Sequence, residues 1–139
     1  MIIGVHGIRD SGPRTTDLLT AYLASRFGMV TLNFIYPPVR IWTAERNLDR
    51  NALMLLKFIE SRTGGSFRGV SIVTHSYGAL IVHRLLEIDR AIRLDRLHLV
   101  APAMLRDADW GRVAHKFASI DCYVNPKDLA TRFASMSHI

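Results

Sequence analysis

The chain has 139 residues, of which 49% are apolar and 22% are charged, a composition typical of one folded globular domain. A domain of this length buries roughly two thirds of the surface of its unfolded chain, so its core needs neither disulfides nor a structural metal. The single cysteine, Cys122, cannot form an internal disulfide, and no group of Cys and His residues has zinc-site spacing. These features exclude disordered, fibrous and disulfide-built classes, and we predict one domain over residues 1–139.

The amino-terminal residues lack the basic region of a signal peptide, and no apolar run approaches the ~20 residues that a membrane span needs. We therefore expect a cytoplasmic protein with no membrane span. The net charge of +6 comes from 15 Arg and 3 Lys against 12 acidic residues. Because these basic residues are scattered along the chain, they indicate a solvated surface, and nucleic-acid binding remains the weaker alternative.

Five short apolar runs rich in β-branched residues alternate with segments of helical periodicity, which predicts a parallel sheet covered by helices. The predicted strands are residues 2–5, 30–35, 70–74, 97–101 and 120–124. Helices are predicted over residues 15–27 with a cap at Gly28, 43–61 between Thr43 and Gly64, 77–88, and 107–117, where Gly111 weakens the pattern. Most of the strands read apolar throughout, so both faces of the sheet should be covered. The expected fold is α/β, a three-layer doubly wound sheet of about five parallel strands.

The sharpest motif is VSIVTHSYGAL over residues 70–80, in which a buried strand turns directly into a helix with Ser76 at the corner. Such a turn strains the serine backbone and needs small residues two places to either side. Gly78 meets that need, whereas Thr74 departs from it. The amides at the start of the following helix suit a developing oxyanion beside the serine.

The first predicted strand ends in a second motif, VHGIRDSG over residues 5–12. Gly7 allows the backbone to turn back over the sheet, which would bring the Ile8 amide beside the Tyr77 amide. Strand ends that meet at such a point are where open parallel sheets bind ligands.

The last predicted strand is followed by Asn-Pro-Lys-Asp, which places Asp128 just beyond a strand end. Asp128 can orient a histidine, and the one histidine downstream is His138. The chain order Ser76, Asp128, His138 matches a serine-hydrolase triad on this kind of sheet.

These motifs together resemble the alpha/beta-hydrolase superfamily, in a reduced and lidless form similar to small bacterial lipases and cutinases. The resemblance runs from the first strand to the last histidine and lacks the antiparallel strand pair with which the family begins. It implies that Ser76 is the nucleophile, His138 the general base and Asp128 its orienting acid. It also implies that the backbone amides of Ile8 and Tyr77 form the oxyanion hole.

Other assignments stay open. Asp107 or Asp109, beyond the fourth strand, is the reserve position for the acid, and Asp128 itself could instead form a turn. His6 and His75 are expected to hold loops around the site, while the other three histidines are expected to be scaffold or surface residues: His83, His98 and His115. No glycine-rich phosphate loop follows the first strand.

The sequence therefore predicts a serine esterase or lipase-like acyl hydrolase that needs no cofactor and no metal. Its partner would be a small-molecule or lipid ester, with residues 36–39 and 41–42 as the apolar wall for the acyl group. The alternative is a hydrolase-fold binding module whose chemistry has lapsed.

Overall fold

A computed structural model describes residues 1–8, 14–103 and 108–124, and in it five parallel strands form one sheet in the order β2-β1-β3-β4-β5. The strands are β1 (Ile2–Val5), β2 (Thr31–Phe34), β3 (Ser71–His75), β4 (Leu94–Val100) and β5 (Phe117–Tyr123). The α-helices are α1 (Arg14–Phe27), α2 (Leu48–Thr63), α3 (Gly78–Ile88) and α4 (Trp110–Val113). Single 3-10 turns cover Ile41–Thr43, Glu45–Asn47 and Ala114–Lys116.

The sheet carries helices on both faces, and neighbouring residues of β1, which point to opposite faces, contact different helices. Gly4 faces α1, because a Cβ added there would lie 3.0 Å from the Cβ of Thr16. Its neighbour Ile3 points to the other face, where it shares one core cluster with Leu55 of α2 and Ile81 of α3. The predicted three-layer α/β class is confirmed.

Burial on both faces holds for β1 and β3, but not for the third interior strand, β4, where Asp95 and Arg96 are exposed. Every residue of β1 and the first four of β3 are buried, whereas the edge strands β2 and β5 are mostly half-buried or exposed. Helix α1 contacts β2, β1 and β3, so its cover is centred on β1, toward the β2 edge of the sheet. The expectation of fully buried strands was therefore too broad.

Several boundaries differ from the sequence prediction. Strand β4 begins at Leu94, three residues before the predicted start. The prediction missed this part of the strand because the exposed side chains of Asp95 and Arg96 break its apolar pattern. The predicted cap at Thr43 is wrong, since α2 begins at Leu48 and the Thr43 hydroxyl donates instead to the Arg40 carbonyl at 3.1 Å. The glycine caps are confirmed: the φ angle is 63° at Gly28 and 64° at Gly64.

The chain changes direction across the sheet between β1 and β3. Strand β1 continues outward to β2, whereas β3 continues to β4 on the other side. In open parallel sheets this switch point leaves a crevice at the carboxyl ends of the strands. The residues that follow β1 and β3 therefore meet at the candidate site.

No helix within residues 1–8, 14–103 and 108–124 is long and apolar enough to span a bilayer.

Candidate active site

Ser76 occupies the turn between β3 and α3, half-buried, with a φ angle of 50°. This left-handed conformation costs a residue that carries a Cβ about 1–3 kcal/mol and persists only where the surroundings fix it. The strand, the strained serine and the helix follow one another as the motif predicted.

Two glycines allow this turn to pack against the end of β1. A Cβ on Gly78 would lie 2.2 Å from the Val5 carbonyl oxygen and 2.9 Å from that of His6. A Cβ on Gly7 would lie 3.0 Å from the Cβ of Ser76. The contacts at Gly78 are with backbone, so the close approach of β1 and α3 requires glycine there, whereas a Cβ at Gly7 would press tightly on Ser76.

Thr74 fits the turn from β3 through Ser76 into α3, called the elbow below, although a smaller residue was expected there. Its side chain is buried, and its hydroxyl lies 3.4 Å from the His98 carbonyl oxygen on β4. The neighbouring strand thus supplies a polar partner for the threonine hydroxyl. The departure from the small-residue pattern therefore does not open the turn.

The end of β4 holds the backbone of Ser76 in place. The Ser76 amide donates to the Val100 carbonyl at 3.1 Å, and the Ser76 carbonyl accepts from the amides of Ala79 and Ala103 at 3.1 and 3.0 Å. Ala101, between these partners, is itself left-handed with a φ angle of 41°. Three backbone hydrogen bonds therefore fix the strained serine.

The two predicted oxyanion donors belong to the chain segments that meet at Ser76. Tyr77 immediately precedes the first turn of α3, and Ile8 follows the glycine that packs on Ser76. Among the described residues, no acceptor occupies the amide of Ile8 or of Tyr77. Amides at the start of a helix favour negative charge in front of them, so this position suits a developing oxyanion.

Hydrogen bonds from two tyrosine hydroxyls connect the segment after β2 to the elbow and to the end of β1. The Tyr77 hydroxyl donates to the Ala44 carbonyl at 2.6 Å, and the Tyr36 hydroxyl donates to the His6 carbonyl at 2.8 Å. The two rings lie 6.1 Å apart. Burial raises the pKa of Tyr77 to about 12, partly offset by the nearby Asn51 amide and the Arg50 charge, so the phenol stays a hydrogen-bond donor.

His6 is part of this scaffold. Its ring stacks on Tyr36 at 4.1 Å with an interplanar angle of 2°, and its Nδ1 lies 2.9 Å from the Gly7 carbonyl oxygen. This hydrogen bond requires the proton on Nδ1. The contacts fit the expected loop-holding role of His6. His75 is half-buried, with its Nδ1 close to Gly7.

Asp128 and His138 lie outside the described residues, as does the alternative acid Asp107. The other alternative, Asp109, is exposed and directly precedes α4. Its carbonyl accepts from the Arg112 amide at 3.3 Å. The assignment of acid and base therefore remains a prediction.

The remaining histidines lie away from the serine turn. His98 faces Asp121 across β4 and β5 at 3.2 Å, and His115 is exposed in a 3-10 turn. His83 is buried in α3 with its ring against the edge of Trp110. The described residues include no group of three side chains able to hold a metal ion.

The sequence did not predict a cavity of about 300 Å³ lined by residues of α2 and α3, including Leu80 and His83. Arg84 lies in its wall and pairs with Asp49 at 2.5 Å and with Glu87 at 3.1 Å. The Arg84 contact holds the pKa of Asp49 below its usual value. Paired charges make this cavity a poor match for an acyl chain.

The fold and the turn at Ser76 define an α/β protein with a strained serine at the switch point of a parallel sheet. Its fold is similar to that of phospholipase PlaB from Legionella pneumophila, with 22% sequence identity and a TM-score of 0.61 over 74% of this chain. A structure of the same phospholipase in complex with thio-NAD gives 19% identity and a TM-score of 0.56, again over 74% of this chain.

The chain spans only about a quarter of the length of those phospholipase structures, 24% and 25% respectively. No family model matches the chain, and no curated protein is significantly similar to it. At this level of identity the likeness establishes a shared fold.

Proposed function

We propose that the chain is a serine-dependent acyl hydrolase of the esterase or lipase type, belonging to the alpha/beta-hydrolase superfamily. The observation that carries the proposal is the left-handed backbone of Ser76, held by hydrogen bonds to Val100, Ala103 and Ala79. Strain of this kind concentrates at functional sites, because packing alone gives no reason to keep it. The similarity to a phospholipase supports ester hydrolysis as the chemistry.

In the proposed reaction the Ser76 oxygen attacks the ester carbonyl while a histidine takes the hydroxyl proton. The Ile8 and Tyr77 amides stabilise the negative oxygen of the tetrahedral intermediate. Collapse of that intermediate breaks the ester C–O bond, and the histidine returns its proton to the departing alcohol. Water then hydrolyses the acyl-serine by the same two steps, which releases the acid and restores Ser76.

The substrate we propose is a lipid or other ester with an acyl chain. The loop after β2 is the candidate wall for that chain, since Tyr36 packs beside Tyr77 while Pro37 and Pro38 are exposed. The alternative, a binding module on the same fold, predicts no covalent chemistry at Ser76.

Covalent labelling tests the function directly. A fluorophosphonate probe should react with the native protein, and peptide mass spectrometry should locate the adduct on Ser76, because only an activated serine reacts rapidly. Ser76→Ala should not be labelled. The matched control is Ser71→Ala, which changes a buried serine in β3 and should be labelled like the native protein. A native protein that resists the probe would support the binding module.

The proposed acid is Asp128, and Asp128→Asn should fold normally yet lower kcat about 10⁴-fold, since an amide cannot stabilise the imidazolium. Asp109→Asn, which alters an exposed residue before α4, is the control and should keep most of its activity. Steady-state hydrolysis of p-nitrophenyl butyrate measures both. Loss of activity in Asp109→Asn alone would move the acid to the region after β4.

The proposed base is His138, which follows Asp128 by ten positions in the sequence. A variant ending at Ser137 should remain folded by circular dichroism and hydrolyse the same ester about 10²–10⁴-fold more slowly. Ile139→Ala keeps the histidine and controls for the loss of the terminal residue. Native turnover in the shortened chain would contradict the assignment and return attention to His6 and His75.

A further inference from the structure

The loop between β2 and α2 exposes large apolar side chains beside the candidate active site. We propose that residues 35–42, called the Trp42 loop below, dock the protein on the surface of an anionic phospholipid membrane. The inference rests on the proposed function only for its purpose, which is to bring Ser76 to esters in that membrane.

Large apolar side chains are exposed on this loop, although not on it alone, since Leu18 on α1 is 78% exposed. Trp42 is 72% exposed and Ile35 is 63% exposed, and both Pro37 and Pro38 face solvent. Burial of an indole ring normally stabilises a folded protein, and an exposed tryptophan does not contribute this stabilisation. Tryptophan is also the side chain enriched at the level of lipid headgroups, where its ring is half apolar and half polar.

The loop is fixed rather than frayed, so its exposed side chains are presented on a firm base. Tyr36 and Val39, which alternate with the exposed residues, are buried in the core. The Thr43 amide donates to the Arg40 carbonyl at 2.9 Å, and the Asn47 side chain donates to the Thr43 carbonyl at 2.7 Å. Docking would therefore cost little ordering entropy.

The loop lies at the same edge of the sheet as Ser76. It leaves the carboxyl end of β2, and hydrogen bonds from Tyr36 to the end of β1 and from Tyr77 to Ala44 join it to the elbow. A membrane that contacts Trp42 would therefore face the edge that carries the serine.

Basic residues accompany the apolar ones. Arg40, Arg46 and Arg50 are exposed in or just after the loop. Of the two nearby acids, Asp49 is already paired with Arg84, which leaves Glu45 to oppose three arginines. Apolar side chains with adjacent arginines match a surface of acidic headgroups over acyl chains, and the chain's net charge of +6 has the same sign.

The test uses the Ser76→Ala protein, so that no lipid is hydrolysed. Sedimentation with vesicles measures binding to phosphatidylcholine alone and to phosphatidylcholine mixed with phosphatidylglycerol. Binding should require phosphatidylglycerol and weaken as salt is raised. Trp42→Ala should lower the partition coefficient about tenfold or more, and Arg40→Gln about fivefold.

Matched controls lie elsewhere on the surface. Tyr22→Ala removes an aromatic ring that is 60% exposed on α1, and Arg68→Gln removes an exposed arginine ahead of β3, at the opposite edge of the sheet. Both should bind as the parent protein does. Because Trp42 and Trp110 are the two tryptophans, Trp110→Phe should also let Trp42 emission report insertion by a blue shift.

Three results would overturn the proposal: no binding to anionic vesicles, equal losses in Trp42→Ala and Tyr22→Ala, or binding to DNA or to a protein through the loop with none to vesicles. The outcome is independent of catalysis. Vesicle binding without fluorophosphonate labelling would keep the docking surface and reject the hydrolase, and labelling without vesicle binding would do the reverse.

Discussion

Replacement of Ser76 by glycine is expected to abolish ester hydrolysis and to raise the free energy of unfolding by about 1 kcal/mol. Hydrolysis is lost because the nucleophile is gone, and losses of about 10⁶-fold in kcat follow removal of a catalytic serine. Stability rises because glycine adopts the φ angle of 50° at this position without strain. The same backbone that presents the serine therefore destabilises the fold.

Urea unfolding followed by circular dichroism, together with ester hydrolysis, measures both effects. Ser76→Ala should be equally inactive but should gain no stability, because alanine keeps the Cβ that makes the conformation costly. Ala101→Gly relaxes a φ angle of 41° without removing the nucleophile, so it should gain stability and still react with the fluorophosphonate probe. If Ser76→Gly proves no more stable than Ser76→Ala, the turn stores no strain.

The sequence predicted the sheet and the serine turn because both depend on local patterns. A continuous apolar run predicts a strand whatever lies beside it, and each of the five predicted strands overlaps a strand of the structure. The glycines around Ser76 carry a similar local signal, since Gly78 relieves a backbone contact and Gly7 a contact with the Cβ of Ser76. The position of Ser76 follows from these two facts alone.

Contacts between distant segments carry no such signal. The hydrogen bond from Tyr77 to Ala44 joins residues that are 33 positions apart, and neither residue indicates its partner in the sequence. The exposed state of Trp42 could not be predicted either, because an apolar loop residue is as compatible with the core as with the surface. The prediction also began β4 too late. Its first residues include polar side chains that are exposed to solvent beside the edge strand, and polar residues carry no strand signal without that neighbour.

Gly78 is where the local signal and the distant contact coincide. Its backbone is ordinary helix, so glycine is not needed there for conformational freedom. It is needed because α3 begins directly against the end of β1, where an added Cβ would lie 2.2 Å from the Val5 carbonyl oxygen. That oxygen belongs to a buried central strand and cannot yield without shifting β1 from its neighbours.

Gly78→Ala is therefore expected to lower the free energy of unfolding by about 3 kcal/mol, the upper part of the range for overpacking a core. Gly64→Ala is the contrasting control: its φ angle of 64° is unfavourable to alanine, but the space around it is open, so its cost should be about 1 kcal/mol. Urea unfolding of the two variants compares a steric cost with a conformational one.

The Gly78 variant should also lose labelling at Ser76, because any shift that relieves the clash moves α3 and the Tyr77 amide away from Ile8. Equal stability of the two variants, or full labelling of Gly78→Ala, would show that β1 and α3 do not approach as closely as the geometry requires.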